Sequence, residues 1–143
     1  SQGSRGKSIL DVGCGSGILS IAGLLLGADS AVGVDIDALA VKTAQENGRT
    51  NGFDEPKFTV LKGSLTDKVT GKFDIIVANI VADIIIVLCR DVKKYLNDGG
   101  VFITSGIIEP REQDVLAAFA ENGIEVIERH ESGGWLCFEA RVK

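Results

Sequence analysis

Short apolar runs alternate with longer stretches of helical period along most of this 143-residue chain. The runs at residues 8–12, 31–34, 57–61, 73–78 and 101–104 are rich in Val, Ile or Phe and bounded by Gly, Asp or Asn, which predicts five β-strands. Their near-continuous hydrophobicity suits strands covered on both faces. Between them, residues 17–26 predict a helix. Asp37 is placed to cap a second one running towards Asn51-Gly52, with Gly48 weakening it near its end. The run Ile84-Ile85-Ile86-Val87-Leu88 taken alone has the look of a strand. The spacing of Ile84, Ile85, Leu88, Val92 and Leu96 instead predicts a helix over residues 82–96, closed by a turn at Asn97-Asp98-Gly99-Gly100. Pro110 suits the first position of a last helix, with Val115, Leu116 and Phe119 as its apolar stripe and Gly123 as its stop. The tail changes rhythm, since residues 124–130 and 135–142 are two β-like runs joined by Glu131-Ser132-Gly133-Gly134, a predicted hairpin. The whole is the pattern of an α/β fold with a mainly parallel sheet and an antiparallel element at its end.

Length and composition narrow the function classes. One domain of this size can bury roughly 68–70% of the surface its unfolded chain exposes, so a stable core needs no disulfide or metal. A net charge of -5 argues against direct nucleic-acid binding and against anionic membranes, and leaves a basic protein partner compatible. The longest apolar stretch, residues 84–89, is far short of the ~20 residues that span a bilayer, so no membrane association is expected. Cys14, Cys89 and Cys137 are odd in number, far apart and without CxxC spacing, which predicts reduced thiols in a cytoplasmic chain and no zinc. Residues 1–7 are polar and predicted to be flexible. Neither an initiator Met nor any other Met is present, and the expectation is an excised domain whose upstream part has been removed.

The candidate chemistry lies where the first strand meets the first helix. Asp11-Val12-Gly13-Cys14-Gly15-Ser16-Gly17 is a glycine loop in a strand-turn-helix context, where a doubly wound sheet binds a nucleotide-like ligand. A tight turn without a ligand is the plainer alternative. Asp35, about 20 residues beyond the loop, is placed to accept hydrogen bonds from ribose hydroxyls. Both Asp35 and Asp37 can alternatively serve the following helix N-terminus. A dinucleotide fingerprint needs a small residue where Ile18 stands, and the carboxylate of Asp11 at the mouth of the loop repels a pyrophosphate while attracting an ammonium. A P-loop Lys is missing. S-adenosylmethionine, with an ammonium, a sulfonium, a ribose and no phosphate, fits these charges best.

Leu10-Asp11-Val12-Gly13-Cys14-Gly15-Ser16-Gly17, the acidic end of strand two and the terminal hairpin together resemble the Rossmann-like class I methyltransferases. That resemblance implies a seven-stranded, mainly parallel sheet of order 3-2-1-4-5-7-6, strand seven antiparallel, with helices on both faces. It also implies cofactor contacts at Asp11, Gly13, Gly15, Asp35 and Ile36, and at Ser64 and Leu65 in the loop after strand three, where Ser64 replaces a common Asp. A closer likeness is carried by Asp74-Ile75-Ile76-Val77-Ala78-Asn79-Ile80-Val81-Ala82, Ser105-Gly106-Ile107-Ile108 and Glu131-Ser132-Gly133-Gly134-Trp135. These segments are similar to the bacterial ribosomal-protein lysine methyltransferases of the PrmA type, which act on the large-subunit protein of the stalk base. The likeness implies a basic ribosomal-protein substrate, a substrate-recognition domain upstream of this chain, and Asn79 at the meeting point of cofactor and amine.

In this reading the Asn79 side-chain oxygen and the Ile80 carbonyl orient a neutral amine, and Trp135 walls the amine site. The plainer alternatives are a cap role for Asn79 and a core role for Trp135. His130 is read as hairpin surface and Cys14 as a small turn residue. Methylation of a small molecule or another protein, and a non-catalytic cofactor-binding module, are the competing functions.

Overall fold

The computed structural model describes residues 6–143, so most of the polar leader expected at residues 1–7 lies outside the described residues. In chain order the elements are β1 (Ser8–Val12), α1 (Ile18–Leu25), β2 (Ser30–Asp35), α2 (Ala38–Thr50), β3 (Phe58–Lys62), β4 (Phe73–Asn79) and α3 (Ala82–Tyr95). They continue as β5 (Leu96–Ile108), a 3-10 turn (Glu109–Arg111), α4 (Glu112–Glu121), β6 (Ile124–Ser132) and β7 (Trp135–Val142). The seven strands form one sheet in the order β3-β2-β1-β4-β5-β7-β6. Pairing is parallel from β3 to β5, and β7 runs antiparallel to both β5 and β6, the arrangement expected from the sequence.

The two-residue period of a strand explains how β1 serves two cores. Leu10 and Val12 join Ile85 and Leu88 of α3 with Phe102, Phe119 and Phe138 on one face. Ile9 points the other way, to Ile21 and Leu24 of α1 and to Val41, Ala44 and Phe58. Helices α1 and α2 pack on β1, β2 and β3, while α3 packs on β4 and β5 and α4 on β6. Among the described residues, nothing covers the flank of β4, β5 and β7 on the α1 side. A groove of about 680 Å³ runs along it, lined by Leu19, Leu26, Ile75, Val77, Val101 and Ile103 among others. No helix among the described residues is long and apolar enough to cross a membrane.

Two sequence expectations need correcting. Asn97-Asp98-Gly99-Gly100 is not a separate turn, because β5 begins directly at Leu96 and the four residues bulge between the pairs Phe73–Leu96 and Ile75–Val101. The bulge is held by Asp74, whose Oδ1 accepts from Asn97 Nδ2 at 3.0 Å and whose Oδ2 accepts from the Ser8 backbone N–H at 3.0 Å, so β1, β4 and β5 are tied at one edge. The Ser8 contact is the main reason the Asp74 carboxyl is held below its ordinary range. Pro110 falls in the 3-10 turn, and α4 starts after it at Glu112. The cap at Asp37 is as expected, its Oδ1 accepting the Leu39 N–H at 3.0 Å.

Candidate functional site

The crevice lies where the sheet order reverses, between β1 and β4, outside the carboxyl ends of the strands. The loop leaving β1 is fastened to β2: the N–H groups of Gly13 and Cys14 donate to the Val34 carbonyl at 2.8 and 3.0 Å. Gly13, Gly15 and Gly17 all take positive φ, of 72°, 55° and 84°, a region that costs residues with a β-carbon about 1–2 kcal/mol each. Their surroundings differ. A β-carbon on Gly13 would lie 2.5 Å from Ile80 Cγ2, whereas one on Gly15 would point into open space.

Asp35 closes this loop from the end of β2. Its Oδ2 accepts the Gly15 N–H at 2.9 Å and its Oδ1 accepts the Asp37 N–H at 3.0 Å. Each carboxylate oxygen carries a second lone pair, so the group can still receive hydroxyl donors from a ligand. Beside it opens a cavity of about 450 Å³, lined by Gly13, Asp35, Ile36, Ser64, Leu65 and Ile80, with Ile84 and Val87 of α3 completing the apolar wall. Asp35 is the one charged residue in that lining, and no Lys or Arg contributes to it. Ile36 is 71% exposed at the rim. Leu65 is the one non-glycine with positive φ, 52°, among the described residues, a backbone state costing on the order of 1 kcal/mol that turns this loop into the cavity wall.

Asp11 is placed differently from its reading as a loop-mouth carboxylate. The strand period turns it under α1, where it is 1% exposed and its Oδ2 accepts from Ser20 Oγ at 2.8 Å. Burial raises its carboxyl to about 6, with Ser20 pulling in the opposite direction and the Asp35 charge adding to the rise. Asp11 does not line the cavity. Cys14 is buried against Gly33, and burial pushes its thiol up to about 12, which suits a packing residue rather than a nucleophile.

Asn79 ends β4 next to Ile80, in register with Ser105 of β5, and is exposed at the crevice floor. Trp135 begins β7, paired with Ile108 and Ser132. It is 55% exposed, so it is not a core residue, and it stands two strands from β4 and, through its partner Ile108, further along the sheet than the Asn79–Ser105 pair. The structure thus brings Gly13, Asp35, Ser64, Leu65 and Ile80 to one cavity, with Asn79 adjoining, and leaves Asp11 beneath and Trp135 further across. His130 is on the exposed strand β6, 3.1 Å from Glu128. Ser20, Ile84, Val87 and Gly106 were missed by the sequence reading. Of these, Ser20 carried a signal as a polar residue on the buried Ile21–Leu24 face of α1, and Gly106 carried one only as part of the segment Ser105-Gly106-Ile107-Ile108.

Comparison with known proteins agrees with this fold. The family model described as "Ribosomal protein L11 methyltransferase (PrmA)" matches residues 1–143. A ribosomal protein L11 methyltransferase of Clostridium botulinum (strain Eklund 17B / Type B) is 50% identical over 137 residues, 96% of this chain and 43% of that protein. The chain therefore spans less than half the length of this curated relative. The crystal structure of a ribosomal protein L11 methylase from Lactobacillus delbrueckii subsp. bulgaricus superposes with a TM-score of 0.93 at 37% identity, covering 97% of this chain and 71% of that one. A methyltransferase complexed with SAH shares the fold alone, with a TM-score of 0.79 at 13% identity over 97% of this chain and 46% of that one.

Proposed function

Because the chain belongs to the ribosomal protein L11 methyltransferase family, we propose that it is the S-adenosylmethionine-binding, methyl-transferring domain of a protein N-methyltransferase whose substrate amines lie on ribosomal protein L11. The chain is a part of that enzyme, and an upstream domain supplies substrate recognition. The observation that carries the cofactor reading is the character of the 450 Å³ cavity, apolar with Asp35 as its charged residue and without a cation to meet a phosphate. Asp35 receives the ribose hydroxyls, Ile36, Leu65 and Ile84 enclose the adenine, and the Ser64 side chain or the Leu65 N–H meets its polar edge. Gly15, open on its ligand side, lets the backbone approach closely. Asp11, buried below the loop and outside the cavity, makes no contact with the cofactor and acts on its ammonium only through the field of its carboxylate.

When bound, S-adenosylmethionine supplies a methyl group on a positive sulfur, open to in-line attack by a lone pair. The residues of this chain have to deliver that lone pair. A lysine amine has an ordinary pKa of ~10.4, so it must shed a proton, and the apolar surroundings of Ile80, Val81 and Ile84 favour its neutral form. Asn79 Oδ1 and the Ile80 carbonyl accept its remaining N–H groups and aim the nitrogen. Trp135 borders the approach from β7 and offers an aromatic face to the cationic lysine before it enters.

The test uses the full-length protein with its ribosomal-protein substrate. Calorimetry should show S-adenosylhomocysteine binding and no NAD binding. Asn79→Ala should lower kcat by about tenfold or more while changing S-adenosylhomocysteine affinity by less than about threefold. Binding of NAD in preference overturns the cofactor assignment, an unchanged kcat overturns the amine-aiming role, and a wild type that binds the cofactor without turnover identifies a scaffold.

A further inference from the structure

Strand β5 carries a second irregularity, at its other end. It pairs with β7 at Thr104–Phe138 and again at Ile107–Leu136, so Ser105 and Gly106 together stand opposite Cys137 alone. This two-against-one step is a bulge, and Gly106 sits in it at φ 81°. A β-carbon on Gly106 would lie 2.7 Å from Asn79 Oδ1, 3.4 Å from the Ile80 carbonyl oxygen and 3.5 Å from the Ile80 nitrogen. On the opposite side, Gly13 leaves the space that Ile80 Cγ2 fills. The corner Asn79-Ile80 is thus clasped between two glycine loops, one from β1 and one from β5.

We infer that Gly106 is a positioning residue for methyl transfer, its bare α-carbon setting the orientation of the Asn79 carboxamide and leaving the Ile80 carbonyl open to the amine. The inference rests on the proposed role of Asn79 and deepens it. Carbon cannot sit 2.7 Å from an amide oxygen, so any side chain at position 106 must turn the Asn79 carboxamide away. The contact to the Ile80 carbonyl, at 3.4 Å, is tolerable in itself, so the effect is concentrated on Asn79. The bulge serves the same end, since it places a left-handed glycine where a regular strand would present a β-carbon.

The test compares Gly106→Ala with Gly52→Ala in the full-length protein. Gly52 has a similar φ, 84°, and open space where its β-carbon would go, so it reports the cost of left-handed alanine without the contact. Gly106→Ala should reduce kcat by about tenfold relative to Gly52→Ala, with S-adenosylhomocysteine affinity within about twofold of the wild type. Placed in the Asn79→Ala background it should cost less than about twofold more, because the oxygen it displaces is gone. If Gly106→Ala melts below the assay temperature, Gly106→Asn carries the same β-carbon on a residue that tolerates left-handed backbone better, and enters the same cycle. Equal kcat in the Gly106 and Gly52 variants, or full additivity with Asn79→Ala, overturns this inference and leaves the function standing. An unchanged kcat in Asn79→Ala alone overturns the amine-aiming role, and the inference falls with it.

Discussion

Burial decides the chemistry of Asp11. An unfolded aspartate has a pKa near 3.8, and under α1 it rises to about 6, so between those values the folded protein holds a proton that the unfolded chain has released. The stability this group contributes is therefore full below about pH 4 and declines as pH climbs to about 6. Asp11→Asn, which keeps the size and the Ser20 contact, should remove this slope. Urea denaturation at pH 4 and pH 7 checks it: wild type should lose stability relative to the variant across that interval. The residue also shows where reading a sequence stops. Asp11 was legible as part of a ligand loop from its neighbours Gly13, Gly15 and Gly17, but its side-chain direction depends on which face α1 covers, a tertiary fact. Gly106 was legible only as part of a motif, because its contact is with Asn79 on another strand. Trp135 could be core or surface from its spacing alone, and at the start of β7, beside the hairpin turn, it is exposed.

At the scale of elements, local pattern and tertiary demand agree for most of the chain and part company at Gly48. Helix propensity ranks alanine about 1 kcal/mol above glycine inside a helix. Gly48, buried near the end of α2, would with a β-carbon meet Phe58 Cδ2 at 2.5 Å and the Phe53 carbonyl at 3.1 Å. Gly48→Ala should accordingly destabilise the fold by about 1–3 kcal/mol, against the propensity, as a shift in urea midpoint without loss of helix content. A glycine that weakens the helix is thus what lets α2 sit close on β3. Strands β1 to β4 were legible from their short runs rich in Val, Ile, Leu or Phe, even though β4 turns Ile75 and Val77 to the open groove. The start of β5 was not. Asn97-Asp98-Gly99-Gly100 has the composition of a turn, and its place within β5 depends on the pairing of Leu96 and Val101 with β4 and on the Asp74 carboxylate that accepts from Asn97.

The molecule as a whole is finished unevenly on its two sides. Phe102 and Ile103 are adjacent on β5, yet Phe102 is fully buried with Phe119 and Phe138 while Ile103 faces the open groove. In this chain Phe102→Ala should cost about 3–5 kcal/mol and Ile103→Ala less than about 1.5 kcal/mol, measured by denaturant unfolding. Equal losses would mean that the groove is closed in solution. The placing of β7 between β5 and β6, although it follows both in the chain, has a bearing on synthesis. As the polypeptide emerges, β6 comes out with α4 beside it but no strand to pair with, and the sheet stays at five strands until β7 enters the gap. A truncation that removed β7 would take away a keystone rather than a margin, stranding β6 and uncovering the flank of β5 that carries Gly106.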